Sequence, residues 1–131
     1  MSISAFDDWL SMYQQAWMSL DASAACALFC DDAQYFITPF DPPLHGHTEL
    51  VIYWQGIVTS QQNVKFSYRV LSFDQPVGVA HWSASFVRVK SGKRRELDGM
   101  LMAEFDESWR CSIFREWWHS RQMVDDGMAF A

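Results

Sequence analysis

Apolar residues recur at steps of three and four from Phe6 through Trp9, Leu10, Tyr13, Ala16 and Trp17 to Leu20, which predicts an amphipathic first helix. Ser4 stands where a cap belongs, and Asp7 places negative charge near the positive end of the helix dipole. Asp21 predicts a second, shorter helix with an apolar face of Ala25, Leu28 and Phe29, ended by Asp31 and Asp32. A β-prone stretch, Ala33 to Thr38, stops at Pro39. After the rigid Pro39-Phe40-Asp41-Pro42-Pro43 loop, Thr48 is placed to cap a third helix whose face is Leu50, Val51, Trp54, Ile57 and Val58, closed by the polar run Ser60 to Asn63.

The period then changes from helical to two. Val64, Phe66, Tyr68 and Val70 alternate, and Leu71 and Phe73 take the opposite parity, so a bulge is expected near Val70. Trp82, Ala84 and Phe86 alternate with His81, Ser83 and Ser85, and Ser91-Gly92 turns the chain. Leu97, Gly99, Leu101, Ala103 and Phe105 alternate with polar and methionine positions, and a last strand is expected from about Trp109 to His119. Residues 120–131 show no clear pattern and read as a tail. Three helices with one early strand, then a meander of four strands, predict an α+β fold with helices on one face of a curved antiparallel sheet. Gly99 in mid-strand fits a sharp bend or a close approach.

The length of 131 residues fits one domain, 1–131. A net charge of −6 argues against nucleic acid, and Lys93-Arg94-Arg95 reads as a solvated hairpin end. No apolar run is long enough for a membrane span, and Met1-Ser2-Ile3-Ser4 lacks the basic and apolar regions of a signal peptide. The three cysteines are an odd number, with Cys26 and Cys30 expected on one helical face, so a reduced, cytoplasmic protein is expected. Aromatic residues make up 16% of the chain, enough to fill a core, line a cavity or form a partner surface.

Several segments resemble the nuclear transport factor 2-like superfamily, which includes SnoaL-like and ketosteroid isomerase-like domains. Phe29-Cys30-Asp31-Asp32-Ala33 resembles its junction between second helix and first strand. Pro39-Phe40 and Pro42-Pro43-Leu44-His45-Gly46 resemble its loop before the third helix. Leu97-Asp98-Gly99, Glu104-Phe105-Asp106 and Phe114-Arg115-Glu116-Trp117-Trp118 resemble its last hairpin. The resemblance implies a cone, with three helices closing the concave side of the sheet, a pocket at the open end and often a dimer through the outer face. It places the isomerase tyrosine at Tyr13, while Thr38 stands where those isomerases carry a general base and Leu101 where they carry a second acid. Glu116 matches an acid of the similar epoxide hydrolases, whose partner Arg and Asp have no counterpart in the Ser83 to Phe86 region.

Parity, joined to the resemblance for the last strand, turns Trp82, Ala84, Phe86, Leu97, Leu101, Phe114, Glu116 and Trp118 toward the concave side. Glu116 is then an acid on an aromatic wall, where burial raises a carboxyl pKa toward neutrality. Glu116 and Tyr13 are the candidate catalytic pair; a structural ion pair of Glu116 with Arg88 or Arg115, or a hydrogen bond to Tyr13, is the alternative. Trp17, Thr38, Tyr53, Trp54, Trp82, Phe86, Leu101, Phe114 and Trp118 are the candidate ligand contacts, with plain core packing as the alternative. No metal is expected: His45-Gly46-His47 lacks a third ligand, and Glu116 and His119 would face opposite ways on a strand. No cofactor is expected either. The outward, methionine-rich row with His81, Ser83, Ser85, Met100 and Met102 is the candidate homodimer surface. Two functions remain open: a cofactor-free acid/base enzyme on a small hydrophobic or aromatic ligand, or a non-catalytic ligand-binding or dimeric interaction module.

Overall fold

The structure is a computed structural model, described here for residues 1–123 and for the backbone of Ala129–Phe130. Helix α1 spans Ile3–Met18, and its inward face is Phe6, Trp9, Leu10, Tyr13, Ala16 and Trp17 as predicted, while Leu20, expected to extend it, lies beyond the helix end with a positive φ. Its cap is Ser2 rather than Ser4: the Ser2 Oγ accepts from the Ala5 backbone amide, and Ser4 lies inside the first turn. Helix α2, Ala22–Cys26, is capped by Asp21 as expected but is only five residues long. Leu28 and Phe29 are buried beyond its end, because the chain has already turned into β1, Phe29–Phe36. Cys26 and Cys30 therefore sit on a helix and a strand, not on one helical face; both are buried and reduced, as is Cys111.

The two-residue strand β2, Leu44–His45, precedes helix α3, Gly46–Ser60. Thr48 is not its cap. Helical geometry starts at Gly46, and Glu49 reaches back so that its Oε1 accepts from the His45 amide at 2.9 Å. Leu50, Trp54 and Ile57 are its buried face. Four long strands follow: β3 Gln61–Asp74, β4 Val77–Arg88, β5 Arg94–Phe105 and β6 Cys111–Met123. The last strand thus runs four residues past His119, and Ala129–Phe130 forms β7 against it; the rest of the expected tail lies outside the described residues.

The sheet order is β2-β1-β6-β5-β4-β3, with β7 also on β6. The meander β3 to β6 is antiparallel, but β1 runs parallel to β6, with Tyr35 opposite Phe114. The bulge expected near Val70 is present, and the register also shifts between Gln62 and Lys65 and between Glu104 and Phe105, where none was expected. The β3–β4 register slips between Val70 and Ser72, leaving Leu71 as the extra residue. At Gly99 a Cβ would lie 2.1 Å from the Trp117 carbonyl oxygen, so only glycine lets β5 and β6 come together there. Gly78 plays a second spatial role: a Cβ there would meet the Phe6 ring at 2.5 Å, so its absence seats α1 on β4.

The core lies between the three helices and the concave face. Phe6, Leu10, Phe29, Leu50, Ala103, Cys111 and Phe114 are fully enclosed in it. Each such Phe or Leu contributes on the order of 1.5–3 kcal/mol by leaving water. The sheet's inward rungs follow the pairing: Ala103 with Phe114, Leu101 with Glu116, Gly99 with Trp118, Leu97 with Ser120 and Arg95 with Gln122. The first lies deep in the core and the last at the open end, so the rungs measure depth into the cone. Among the described residues no helix is long and apolar enough to cross a membrane.

Candidate functional site

A cavity of about 190 Å³ opens at the wide end of the cone. Helix α1 supplies Tyr13 and Trp17, one turn apart on its inward face; α3 supplies Tyr53, Trp54 and Ile57. The sheet supplies Tyr35 from β1, Trp82 and Phe86 from β4, and Glu116 and Trp118 from β6. The mouth is polar, with Gln61, Arg88, Arg95 and Ser120. A 150 Å³ apolar cavity is enough to admit benzene, so this one has room for one or two fused rings.

Glu116 is 8% exposed and the only acidic, basic or amide side chain in the buried set among the described residues. Tyr35 donates its hydroxyl proton to Glu116 Oε1 at 2.6 Å. The Tyr13 and Tyr35 hydroxyls are 3.2 Å apart. Tyr35 has a single proton, committed to Glu116, so Tyr13 donates to the Tyr35 oxygen. The three groups form a chain, Tyr13 to Tyr35 to Glu116. No cation pairs with Glu116 among the described residues. Arg115 instead turns outward and lies over the Phe36 ring, 4.0 Å from its centroid, while Arg88 sits at the mouth over Phe86.

The electrostatics follow from that isolation. Removal from water pushes the Glu116 carboxyl up to about 7, and the Tyr35 hydrogen bond partly offsets the rise by favouring the carboxylate. Burial first, and the nearby Glu116 charge second, hold the Tyr13, Tyr35 and Tyr53 hydroxyls above their usual range, so all three remain protonated donors. Near neutral pH the pocket therefore holds one carboxyl group poised between its acid and base forms, beside phenols that stay neutral. A second polar feature is the pair of buried indole nitrogens of Trp54 and Trp82, which have no hydrogen-bond partner among the described residues. An unsatisfied buried donor costs about 1–3 kcal/mol.

Of the sequence-derived candidates, Glu116, Tyr13, Trp17, Tyr53, Trp54, Trp82, Phe86 and Trp118 meet at this cavity. Tyr13 does not reach Glu116 itself; Tyr35 intervenes. Three candidates do not line it. Leu101 and Phe114 face the concave side, as parity requires, but lie sealed in the core, Phe114 under the rings of Tyr13 and Tyr35. Thr38 is used locally, its Oγ1 accepting from the Phe40 amide in the turn after β1. Tyr35 is the residue sequence reasoning passed over. Its signal was the alternation of Ala33 and Tyr35 within the β-prone stretch, but its depth depends on the parallel register with β6, which joins segments far apart in the chain. Arg95 was read as part of a solvated run and instead lines the mouth. Among the described residues no His, Cys, Asp and Glu side chains cluster as metal ligands.

A family model for the SnoaL-like domain matches residues 10–109, most of the helical layer and the sheet through β5. The chain belongs to the SnoaL-like family. No curated protein matches it in sequence. Among solved structures, the epoxide hydrolase/cyclase-like enzyme SalBIII, described in connection with pyran ring formation in the polyether salinomycin, superposes with a TM-score of 0.77. The alignment covers 86% of this chain and 89% of that one at 13% identity. The likeness is one of fold: a curved, unclosed sheet with three helices on its concave side, as in this SnoaL-like chain.

Proposed function

We propose that this SnoaL-like protein binds a small hydrophobic or aromatic molecule in the cone cavity and acts on it by cofactor-free acid/base chemistry, with Glu116 as the proton-transferring group. The observation that carries this reading is a buried carboxyl at the cavity wall, held near neutrality and met by a tyrosine rather than by a cation. A group whose pKa lies near ambient pH is matched to taking and returning protons. Tyr35, backed by Tyr13, sets the position of the carboxyl, and the aromatic walls contributed by Trp17, Tyr53, Trp54, Trp82, Phe86 and Trp118 orient a flat ligand. Isomerase, dehydratase, cyclase and hydrolase reactions all fit such a group, and the fold shared with an epoxide hydrolase/cyclase-like enzyme is in keeping with the last two.

One observation favours a second reading. The Tyr13–Tyr35–Glu116 chain satisfies the acid within the protein, which suits a binding module without turnover. The two are separated by screening one- and two-ring ligands through the tryptophan fluorescence, then following bound ligands for conversion. Under the enzymatic reading Glu116→Gln lowers turnover by about 10²–10⁴-fold with binding retained. Equal turnover by the variant, or tight ligands returned unchanged, would leave only the binding module. We further propose a cytoplasmic homodimer paired through the outer sheet face, where Met100, Met102 and His81 are half-buried and Trp117 is exposed. Sedimentation at micromolar concentration tests the pairing.

A further inference from the structure

The hairpin joining β4 and β5 gathers positive charge at the cavity mouth. Arg88, Lys90, Lys93, Arg94 and Arg95 fall within eight residues and are half of the chain's ten basic side chains, in a protein of net charge −6. Strand parity then divides them. Arg94 turns to the outer face, where its Nη1 donates to Ser85 Oγ at 3.2 Å. Arg95 pairs with Phe86 across the ladder and turns inward with it. Arg88 continues the inward row of β4, its guanidinium carbon 5.7 Å from the Phe86 ring centroid. Both Arg88 and Arg95 line the cavity that Glu116 lines at its deep end. Arg95 Nη2 donates to Ser120 Oγ at 2.6 Å, and Ser120 is itself a lining residue. Among the described residues no carboxylate pairs with either guanidinium.

We propose that the ligand of this cavity is an aromatic acid, its anionic group held at the mouth by Arg88 and Arg95 and its ring lying inward against the tryptophans. The inference rests on the cavity being a ligand site. Guanidinium groups present planar forks of donors that match a carboxylate, and they keep their charge at any physiological pH. An acidic protein repels anions at long range, so a local pair of cations at the mouth acts as a selective entrance. The two ends of the cavity also suit one molecule. From the Leu101–Glu116 rung to the Arg95–Gln122 rung is six residues, at most ~20 Å along the strand and less across a curved sheet with side chains reaching in from both ends. A two-ring acid whose anion is held at the mouth would point its apolar edge inward along this axis toward Glu116.

Isothermal titration calorimetry with 2-naphthoate and its neutral isostere 2-naphthamide tests this on the intact protein. The acid is expected to bind ~10-fold or more tightly than the amide at low salt, with the advantage shrinking at about 0.3 M salt. In Arg88→Gln/Arg95→Gln the two compounds are expected to bind within about twofold of each other, while Arg94→Gln keeps the preference. Equal binding of both compounds to the unaltered protein would overturn the proposal and leave the cavity a ligand site. A preference that survives in the double variant would also overturn it. Failure of both compounds to bind would remove the ligand-site reading and this proposal together. The comparison on the unaltered chain decides the matter even if a variant folds poorly.

Discussion

Replacing Glu116 with glutamine should make the protein more stable above neutral pH and remove most of its stability loss between weakly acidic and neutral pH. The carboxyl pKa is raised from 4.5 in the unfolded chain to about 7 in the fold, chiefly by burial. A folded group that holds its proton more tightly than the unfolded one favours the fold fully below the unfolded pKa. That advantage is lost as pH rises through the folded pKa. Between pH 4.5 and 7 the difference amounts to roughly 3 kcal/mol at 1.36 kcal/mol per unit. Glutamine keeps the shape, and its carbonyl oxygen can still accept from Tyr35, but it never has to ionise in the core. Urea midpoints of both proteins across pH 4 to 9 supply the measurement. The curves should coincide near pH 4.5 and separate steadily to about pH 8, with the variant above by on the order of 2–3 kcal/mol. Parallel curves, or a variant that is less stable at pH 8, would refute the assignment of Glu116 as a buried, unpaired acid.

Three further outcomes are expected. Tyr35→Phe removes the hydrogen bond that lowers the Glu116 pKa, so the midpoint of any Glu116-dependent pH profile, read by carboxyl NMR titration, should move upward. Gly99→Ala should destabilise by at least about 2–3 kcal/mol in chemical denaturation, because its Cβ would fall 2.1 Å from the Trp117 carbonyl oxygen and backbone must move. Cys26, Cys30 and Cys111 are buried, with thiol pKa values raised by desolvation, so a thiol reagent should label none of them quickly until denaturant is added.

The shape of the fold was legible because it is written in local periods. The switch from helical spacing before Ser60 to alternation after Val64 marks where helices give way to the meander, and the parity change at Val70 marks a bend. Parity also put Trp82 and Phe86 on the concave side, and the family resemblance placed Glu116 and Trp118 beside them. What escaped was non-local. The parallel seating of β1 on β6 brings Tyr35 to Glu116, although the two are 81 positions apart. Helix starts shifted because several polar residues near Ser2 and His45 compete to cap, and tertiary packing chooses among them. Arg95 was hidden by its neighbours: in a run of charges composition suggests solvent, whereas pairing with Phe86 points it inward.

Because successive inward rungs stand ~7 Å apart along β5 and β6, the pleat is a ruler for whatever occupies the cone. Shifting an acid from position 116 to 118 or 120 would address a different atom of the same guest without altering a single strand. A cone of fixed outline can in this way present its acid at different depths to the same guest.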